Sequence, residues 1–170
     1  MSSNLTVPTI LPVKAEEIIK NFCLERHPEG GWFRRTFEST DRLSLDRGER
    51  FACTSIFYLL GRGESSSLHT LKSDEIWYFH AGCGLVLHCF EDLRYSQYVL
   101  GPDFGNDQCP SLTMRSGTKF AAELTPGGDW GLVSCVVCPG FDYDDFSFSD
   151  FSSMIMSFPQ HETLLRRLCR

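Results

Sequence analysis

A histidine and a glutamate at a fixed spacing are the residues of this sequence best suited to chemistry. Gly63, His69, Glu75 and Gly82 are separated by five, five and six residues. An imidazole oriented by a neighbouring carboxylate can accept and return a proton near neutral pH. The pair therefore predicts His69 as a general base and Glu75 as its orienting partner. The alternative interpretation is a buried histidine whose hydrogen bond to Glu75 only joins two strands.

The elements that must position this pair are predicted to be strands. His69 and Leu71 are two residues apart, so on a strand they share a face. Residues 72–74 (KSD) predict a turn, which would place Glu75 on the neighbouring strand beside them. The aromatic residues that share this face by alternation from Glu75 are Trp77 and Phe79.

The remainder of the chain predicts many short strands and a helix near each end. Strand segments are rich in β-branched and aromatic residues and are separated by Gly, Pro, Asp and Asn. They are residues 51–60, 76–80, 85–90, 95–100, 111–115, 120–124 and 132–138. Amphipathic or capped helices are predicted at 14–24, between Pro12 and Pro28, and at 160–169. This series indicates an all-β sandwich or barrel, in one domain over residues 1–170.

The spacing of Gly63, His69, Glu75 and Gly82 resembles the first sequence motif of the cupin superfamily, with Leu71 in place of its second histidine. Four blocks in order also resemble the cupin 5 family: HPEGGWFR at 27–34, TSIFYLL at 54–60, SDEIW at 73–77 and CPGF at 138–141. This resemblance covers about residues 11–168. It implies a cupin jelly-roll β-barrel, usually a homodimer, similar in fold to sugar-nucleotide epimerases. It implies no established reaction.

The second cupin motif is where the chain departs from the pattern. Its nearest segment, MRSGTKF, keeps Gly117 but has Phe120 in the place of the histidine. Cupin metal sites usually use three histidines and one glutamate, and neither Leu71 nor Phe120 offers a lone pair. His69 and Glu75 are left as the candidate metal ligands. We therefore expect no cofactor and at most a weakly bound divalent metal.

Two further histidines are candidates to replace the missing ligands. Alternation from Glu75 turns His80 away from the barrel interior. The sequence leaves the orientation of His88 open.

The ligand pocket is predicted to use residues outside the histidine motif as well. Glu29 lies in the turn-forming segment HPEGG and Arg34 follows it. This segment is either a helix-to-strand connection or a source of groups that reach ligand hydroxyls or an anion. Arg34 or Lys119 would stabilise the anion. The predicted pocket residues are Glu29, Arg34, Trp77, Phe79, Lys119 and Phe120.

Composition excludes several classes of partner. The net charge of −6 disfavours a nucleic acid, and no apolar stretch is long enough to span a membrane. The N-terminal residues lack a secretory pattern, so a cytoplasmic location is expected. The chain has eight cysteines, and Cys135 and Cys138 form a CxxC inside an apolar run. We expect both to be packed strand cysteines on opposite faces rather than a redox or zinc site.

Three functions fit these observations. The first is a metal-independent sugar epimerase or isomerase that binds a small carbohydrate-like metabolite and uses His69 as its base. The second is a non-catalytic module that binds a small ligand in the barrel. The third is a metal-dependent cupin, such as a phosphomannose-isomerase-like enzyme or a dioxygenase.

Overall fold

The computed structural model describes residues 13–169, and these residues are mostly in β-strands. The strands are β1 (Glu25–Arg26), β2 (Trp32–Glu38), β3 (Arg42–Leu45), β4 (Gly48–Phe51), β5 (Thr54–Gly61), β6 (Ser65–Leu71), β7 (Asp74–Gly82), β8 (Leu85–Glu91), β9 (Arg94–Leu100), β10 (Gln108–Cys109), β11 (Ser111–Met114), β12 (Lys119–Leu124), β13 (Trp130–Cys138) and β14 (Phe146–Phe148). The helices are α1 (Ala15–Asn21), α2 (Phe151–Ser157) and α3 (Glu162–Leu168).

Within residues 13–169 the strands form two larger sheets and one separate hairpin. The first sheet has the order β1-β2-β5-β13-β7-β11, and the second has the order β10-β9-β8-β12-β6-β14. Strands β3 and β4 pair with each other outside both sheets. The inner faces of the two sheets share one apolar core, which includes Tyr58, Trp77, Leu87, Phe120 and Val133. This is the predicted all-β barrel, with its core between the sheets.

The helices cover the outer faces of the sheets. Helix α1 packs Ile18 against Leu59 and Leu132 of the first sheet. Helices α2 and α3 pack Met154 and Leu165 against the outer side of the second sheet. Each sheet therefore has its inner face on the shared core and a helix against part of its outer face.

Most predicted strands are present with bounds that differ by a few residues, and both predicted helices form. The segment predicted as one strand at 51–60 is divided, because the chain leaves the hairpin at Phe51 and enters the first sheet at Thr54. The C-terminal helix begins with a 3-10 turn at Pro159–His161 and continues as α3. Residues 11 and 12 of the predicted core lie outside the described residues.

Several elements were not predicted from the sequence. Strand β2 contains two adjacent arginines, so its sequence does not show the alternation of apolar and polar residues that identifies a strand. The β3–β4 hairpin is largely polar and exposed. Helix α2 is short and begins after Asp150, whose carboxylate accepts a hydrogen bond from the Ser153 backbone N–H. Among the described residues, none of the helices has the length and apolar content needed to span a membrane.

Candidate functional site

A cavity of about 350 Å³ lies on the inner face of the first sheet. Its volume is at the small end of the range for ligand sites, roughly 300–1,000 Å³. The lining residues come mainly from β2, β5, β7 and β13 and from the segments that precede β2 and follow β13. They are His27, Glu29, Phe33, Arg35, Glu38, Thr54, Ser55, Ile56, Tyr58, Leu71, Glu75, Trp77, Cys135, Val137, Phe141 and Tyr143.

Glu75 is the carboxyl group that strand alternation places in this cavity. Only 7% of the residue is exposed, and its Oε2 atom has no hydrogen-bond partner among the described residues. Burial, and secondly the negative charge of Glu29, raise the pKa of Glu75 to about 8. Trp77, two residues further along β7, also lines the cavity. Its buried Nε1 atom has no hydrogen-bond partner among residues 13–169. The wall therefore presents an acid that is mostly neutral at pH 7 beside an unsatisfied N–H donor.

Glu29 reaches the cavity from the turn before β2. Its Oε2 atom accepts a hydrogen bond from Ser66 Oγ at 2.8 Å, and its carbonyl oxygen accepts bonds from the backbone and hydroxyl of Ser67. The turn needs glycine at Gly30, because φ is +114° and a Cβ atom would lie 2.2 Å from the Ser65 carbonyl oxygen. The segment HPEGG is thus both a tight connection and the support of a cavity carboxylate.

His69 is in the barrel core but does not line the cavity. Its Nδ1 atom donates to the Ser67 carbonyl oxygen at 2.7 Å and lies 3.5 Å from Glu29 Oε2. The imidazole packs against the rings of Phe120 and Phe146, with centroids 4.3 and 5.3 Å away. The residue is only 1% exposed. His69 is therefore enclosed behind the cavity wall.

The predicted pairing of His69 with Glu75 is wrong in this structure. The described hydrogen bonds and ion pairs give His69 a different carboxylate neighbour, Glu29. The reason is that β6 and β7 belong to different sheets, so the turn between them does not make them neighbouring strands.

The predicted cavity arginine is displaced by one residue. Arg34 pairs with Phe57 across β2 and β5, and its guanidinium lies 5.8 Å from the Phe57 ring on the outer face. Arg35, which pairs with the inward-facing Ile56, lines the cavity instead. Its Nη1 atom is 3.0 Å from Glu38 Oε2. Since both side chains are exposed, this ion pair lies at the opening of the cavity.

The remaining predicted pocket residues divide into those that reach the cavity and those that do not. Glu29 and Trp77 line it. Phe79 and Phe120 point into the barrel but only fill the apolar core next to the cavity. Lys119 is exposed and lines a surface groove on the other side of the second sheet, since its side chain alternates with the inward-facing Phe120.

Sequence reasoning missed several cavity residues. Tyr58 donates its hydroxyl hydrogen to the Gly30 carbonyl oxygen at 2.7 Å. Burial raises the pKa of Tyr58 and of Cys135 well above their ordinary values, so both are neutral donors at pH 7. Alternation along β5 and β13, counted from a residue known to face inward, would have found both. The missed lining residues with polar or aromatic side chains are His27, Phe33, Arg35, Glu38, Thr54, Ser55, Tyr58, Cys135, Phe141 and Tyr143.

The donor groups do not fit the metal site that a cupin barrel commonly holds. His69 donates Nδ1–H to the Ser67 carbonyl oxygen, which leaves Nε2 as its one ligand atom, and Leu71 and Phe120 supply no lone pair to complete a site. Residues 13–169 contain no cluster of three or more His, Cys, Asp or Glu residues that could hold a metal ion.

The two candidate replacement histidines face away from the cavity. His80 is exposed and contacts Ser134, as alternation predicts. His88 lies on the outer face of the second sheet and contacts Tyr95 and Glu123.

Two facing sheets with a small cavity against the inner face of one of them define a cupin barrel. The same fold occurs in oxalate decarboxylase from Bacillus subtilis, which is 14% identical with a TM-score of 0.52 over 84% of this chain and 36% of that protein. The chain belongs to the family described as Cupin superfamily (DUF985), which it matches over residues 16–149.

Solved structures with higher identity cover nearly the whole chain. A hypothetical protein from Leishmania major is 31% identical, with a TM-score of 0.86 over 92% of this chain and 99% of that protein. A protein from Shewanella oneidensis is 32% identical, with a TM-score of 0.86 over 94% of this chain and 99% of that protein. These likenesses extend the cupin assignment beyond the matched segment but name no ligand.

Proposed function

We propose that this cupin binds a small, uncharged, hydroxyl-bearing metabolite of carbohydrate-like chemistry, and that Glu75 exchanges a proton with it. The observation that carries this proposal is the pair of unsatisfied atoms, Glu75 Oε2 and Trp77 Nε1, on residues that line one cavity. A buried polar atom without a partner is unfavourable by roughly 1–3 kcal/mol, and a ligand that supplies the partner recovers this energy. A hydroxyl group can accept from the indole N–H and donate to the carboxyl group.

The electrostatics of the cavity favour a neutral ligand group next to Glu29 and Glu75. Glu29 and Glu75 both lie in the wall, and the arginine in the lining is at the opening, paired with Glu38. Since Glu75 is mostly neutral at pH 7, an anionic group would be repelled chiefly by the negative charge of Glu29. The aromatic side chains Phe33, Tyr58 and Trp77 provide apolar surface for the C–H faces of a sugar-like ring.

The proposed reaction class is isomerisation or epimerisation by proton transfer. With a pKa of about 8, Glu75 is about nine-tenths protonated at pH 7 and can act in either direction. A carbon-bound proton would pass from the substrate to the carboxylate form and return to the same or a neighbouring carbon. His69, proposed from the sequence as the base, lies behind the wall, so the geometry favours Glu75 for this step and leaves His69 next to Glu29.

The proposal is tested with a panel of neutral sugars, polyols, sugar phosphates and nucleotide sugars. Binding is measured by thermal shift, and proton transfer by NMR detection of deuterium incorporation at carbon in D₂O. We expect a neutral polyhydroxylated compound to bind and exchange. Glu75→Gln should lower the exchange rate by roughly 10²–10⁴-fold and change affinity far less. Glu49→Gln, at an exposed position of the hairpin, is the matched control.

Two results would contradict this function. Exchange at the wild-type rate in Glu75→Gln would remove Glu75 from the chemistry. A panel in which only anionic or cationic compounds bind would overturn the proposed ligand class.

A non-catalytic binding module is the second candidate, and the enclosed position of His69 favours it. The lining residues then hold a ligand that the predicted base, His69, does not contact. This candidate predicts thermal stabilisation by the same neutral compounds with no deuterium incorporation and no product by mass spectrometry.

We also propose a cytoplasmic location. All eight cysteines are free thiols, as is usual in a reducing compartment. Fractionation that places the protein in an oxidising compartment would contradict this proposal.

A further inference from the structure

Cys53 and Cys138 lie opposite each other at the edge of the cavity wall. Val137 of β13 pairs with Thr54, the first residue of β5, in an antiparallel register. Cys138 is the last residue of β13, and Cys53 directly precedes β5. The next register position therefore places Cys138 opposite Cys53. Facing residues of antiparallel strands have Cα atoms about 4.5–5.5 Å apart, within the range of about 4.4–6.8 Å that disulfides use.

The two thiols are neighbours and are accessible to small reagents. The thiol of Cys138 lies against that of Cys53, and Cys138 is exposed while Cys53 is partly buried. Cys135 and Cys138 lie on opposite faces of β13, as the sequence predicts, but only Cys135 is packed. Cys138 is exposed, and its neighbour is Cys53 from a distant part of the sequence.

We propose that Cys53 and Cys138 are a modification site that forms a reversible intramolecular disulfide by exchange with a small disulfide such as oxidised glutathione. The exposed Cys138 thiolate attacks one sulfur of oxidised glutathione, and the first glutathione thiolate leaves. The Cys53 thiolate then attacks the Cys138 sulfur of this mixed disulfide, and the second glutathione thiolate leaves. The two cysteines lose two protons and two electrons, and oxidised glutathione is reduced to two thiols.

The surroundings of the pair determine its rate and its consequence. Burial, and secondly the neighbouring Cys53 thiol, raise the pKa of Cys138 to about 11, so the thiolate fraction is small at neutral pH. Exchange is therefore slow, and irreversible over-oxidation is also disfavoured. Thr54 and Val137, adjacent to the two cysteines, line the cavity. The disulfide would fix the distance between the two strands at this edge, whatever ligand the cavity takes.

The test uses the full chain in buffers of graded reduced-to-oxidised glutathione ratio, followed by acid quenching, alkylation and peptide mass spectrometry. We expect a Cys53–Cys138 disulfide in the wild-type protein. Cys53→Ser should trap Cys138 as the glutathione mixed disulfide, with at least about tenfold more of this adduct than in the wild-type protein, because the intramolecular thiol is missing. Cys109→Ser removes an exposed cysteine of β10 and should leave the disulfide unchanged.

Mapping the wild-type protein decides the proposal even if a variant folds poorly. A stable Cys138 adduct at equal yield in the wild type and Cys53→Ser would overturn it. Modification of Cys23 and Cys109 under conditions that leave both Cys53 and Cys138 reduced would also overturn the proposed disulfide.

Discussion

At the residue scale, Glu75 is a buried carboxyl group whose pKa burial raises to about 8. A carboxylate loses its hydration when it is buried, and the polar contacts of Trp77 and Cys135 with Glu75 lower its pKa by less than burial raises it. Such a penalty is tolerated in proteins mainly where it serves binding or proton transfer. Glu75 should therefore reduce stability in a pH-dependent way that a neutral isostere abolishes.

The predicted test is the stability of Glu75→Gln as a function of pH. The pKa of Glu75 rises from 4.5 to about 8 on folding, so between these values the unfolded chain releases a proton that the folded chain keeps. Wild-type stability should fall as the pH rises through this window, by at most on the order of 5 kcal/mol. Gln carries no charge at any of these pH values. Urea unfolding should show Glu75→Gln to be more stable at pH 8 by a few kcal/mol, with the difference shrinking toward pH 5.

Glu49→Gln controls for a change in net charge, since Glu49 is exposed on β4. Parallel stability curves for the wild type and Glu75→Gln would show that the carboxyl group is not desolvated in the folded protein.

At the element scale, Asp145 connects the β3–β4 hairpin to the segment that follows β13. Its carboxylate accepts two hydrogen bonds from Arg50, at 2.8 and 3.0 Å, and one from Arg47 at 3.0 Å. These bonds hold the pKa of Asp145 below its ordinary value, with the Arg50 hydrogen bond as the largest cause. Phe141 and Tyr143, just before Asp145, line the cavity. The hairpin is thus tied to the segment that borders the opening.

Asp145→Asn should release this connection. Removing the charge leaves two arginines without their carboxylate, so we expect a lower Tm at pH 7 and faster hydrogen exchange in residues 42–51 and 141–145. The difference from wild type should narrow as the pH falls below the ordinary Asp pKa of 3.8, because the unfolded wild-type chain then binds a proton that folded Asp145, with its lowered pKa, takes up only at still lower pH.

Asp129→Asn is the matched control for Asp145→Asn. It breaks the exposed Arg62–Asp129 ion pair and should change the Tm little, as surface pairs contribute roughly 0–1 kcal/mol. Equal effects of the two substitutions would contradict a special role for the buried connection.

At the scale of the whole molecule, the first sheet has an incomplete edge. Strand β1 pairs only with Trp32 and Phe33 of β2, so the following residues of β2 have no strand on that side among the described residues. Phe37 in this stretch is 54% exposed. An open edge with an exposed aromatic residue favours pairing with another chain, and we propose that a second copy of the chain covers it.

Light scattering should then give a mass of twice 19.3 kDa at micromolar concentration. Phe37→Lys should shift the population toward the monomer, because a lysine on an edge strand opposes pairing. Leu93→Lys changes an exposed leucine in the turn between β8 and β9 and should leave the mass unchanged. A wild-type mass of 19.3 kDa would contradict the dimer.

Local periodicity predicted an all-β sandwich or barrel, and the resemblance to the cupin motifs implied the barrel and part of the site. Alternation from Glu75 correctly placed Trp77 inside and His80 outside, because a strand's side chains alternate whatever lies across from them. The strand series and both terminal helices followed from the same short-range patterns. Glu29 was named because its glycine-rich segment had an evident turn chemistry.

The partner of each charged group was decided only by the tertiary structure. His69 meets Glu29 rather than Glu75, because β6 and β7 join different sheets and a register shift in the β6–β12 pairing puts Ser66 and His69 on one side. Arg35 rather than Arg34 faces the cavity, because the register with β5 fixes which side of β2 turns inward. Cys53 meets Cys138 through the pairing of strands that are distant in sequence. Spacing along the chain determines the face of a residue, whereas its contacts depend on long-range pairing of strands, which short-range patterns do not encode.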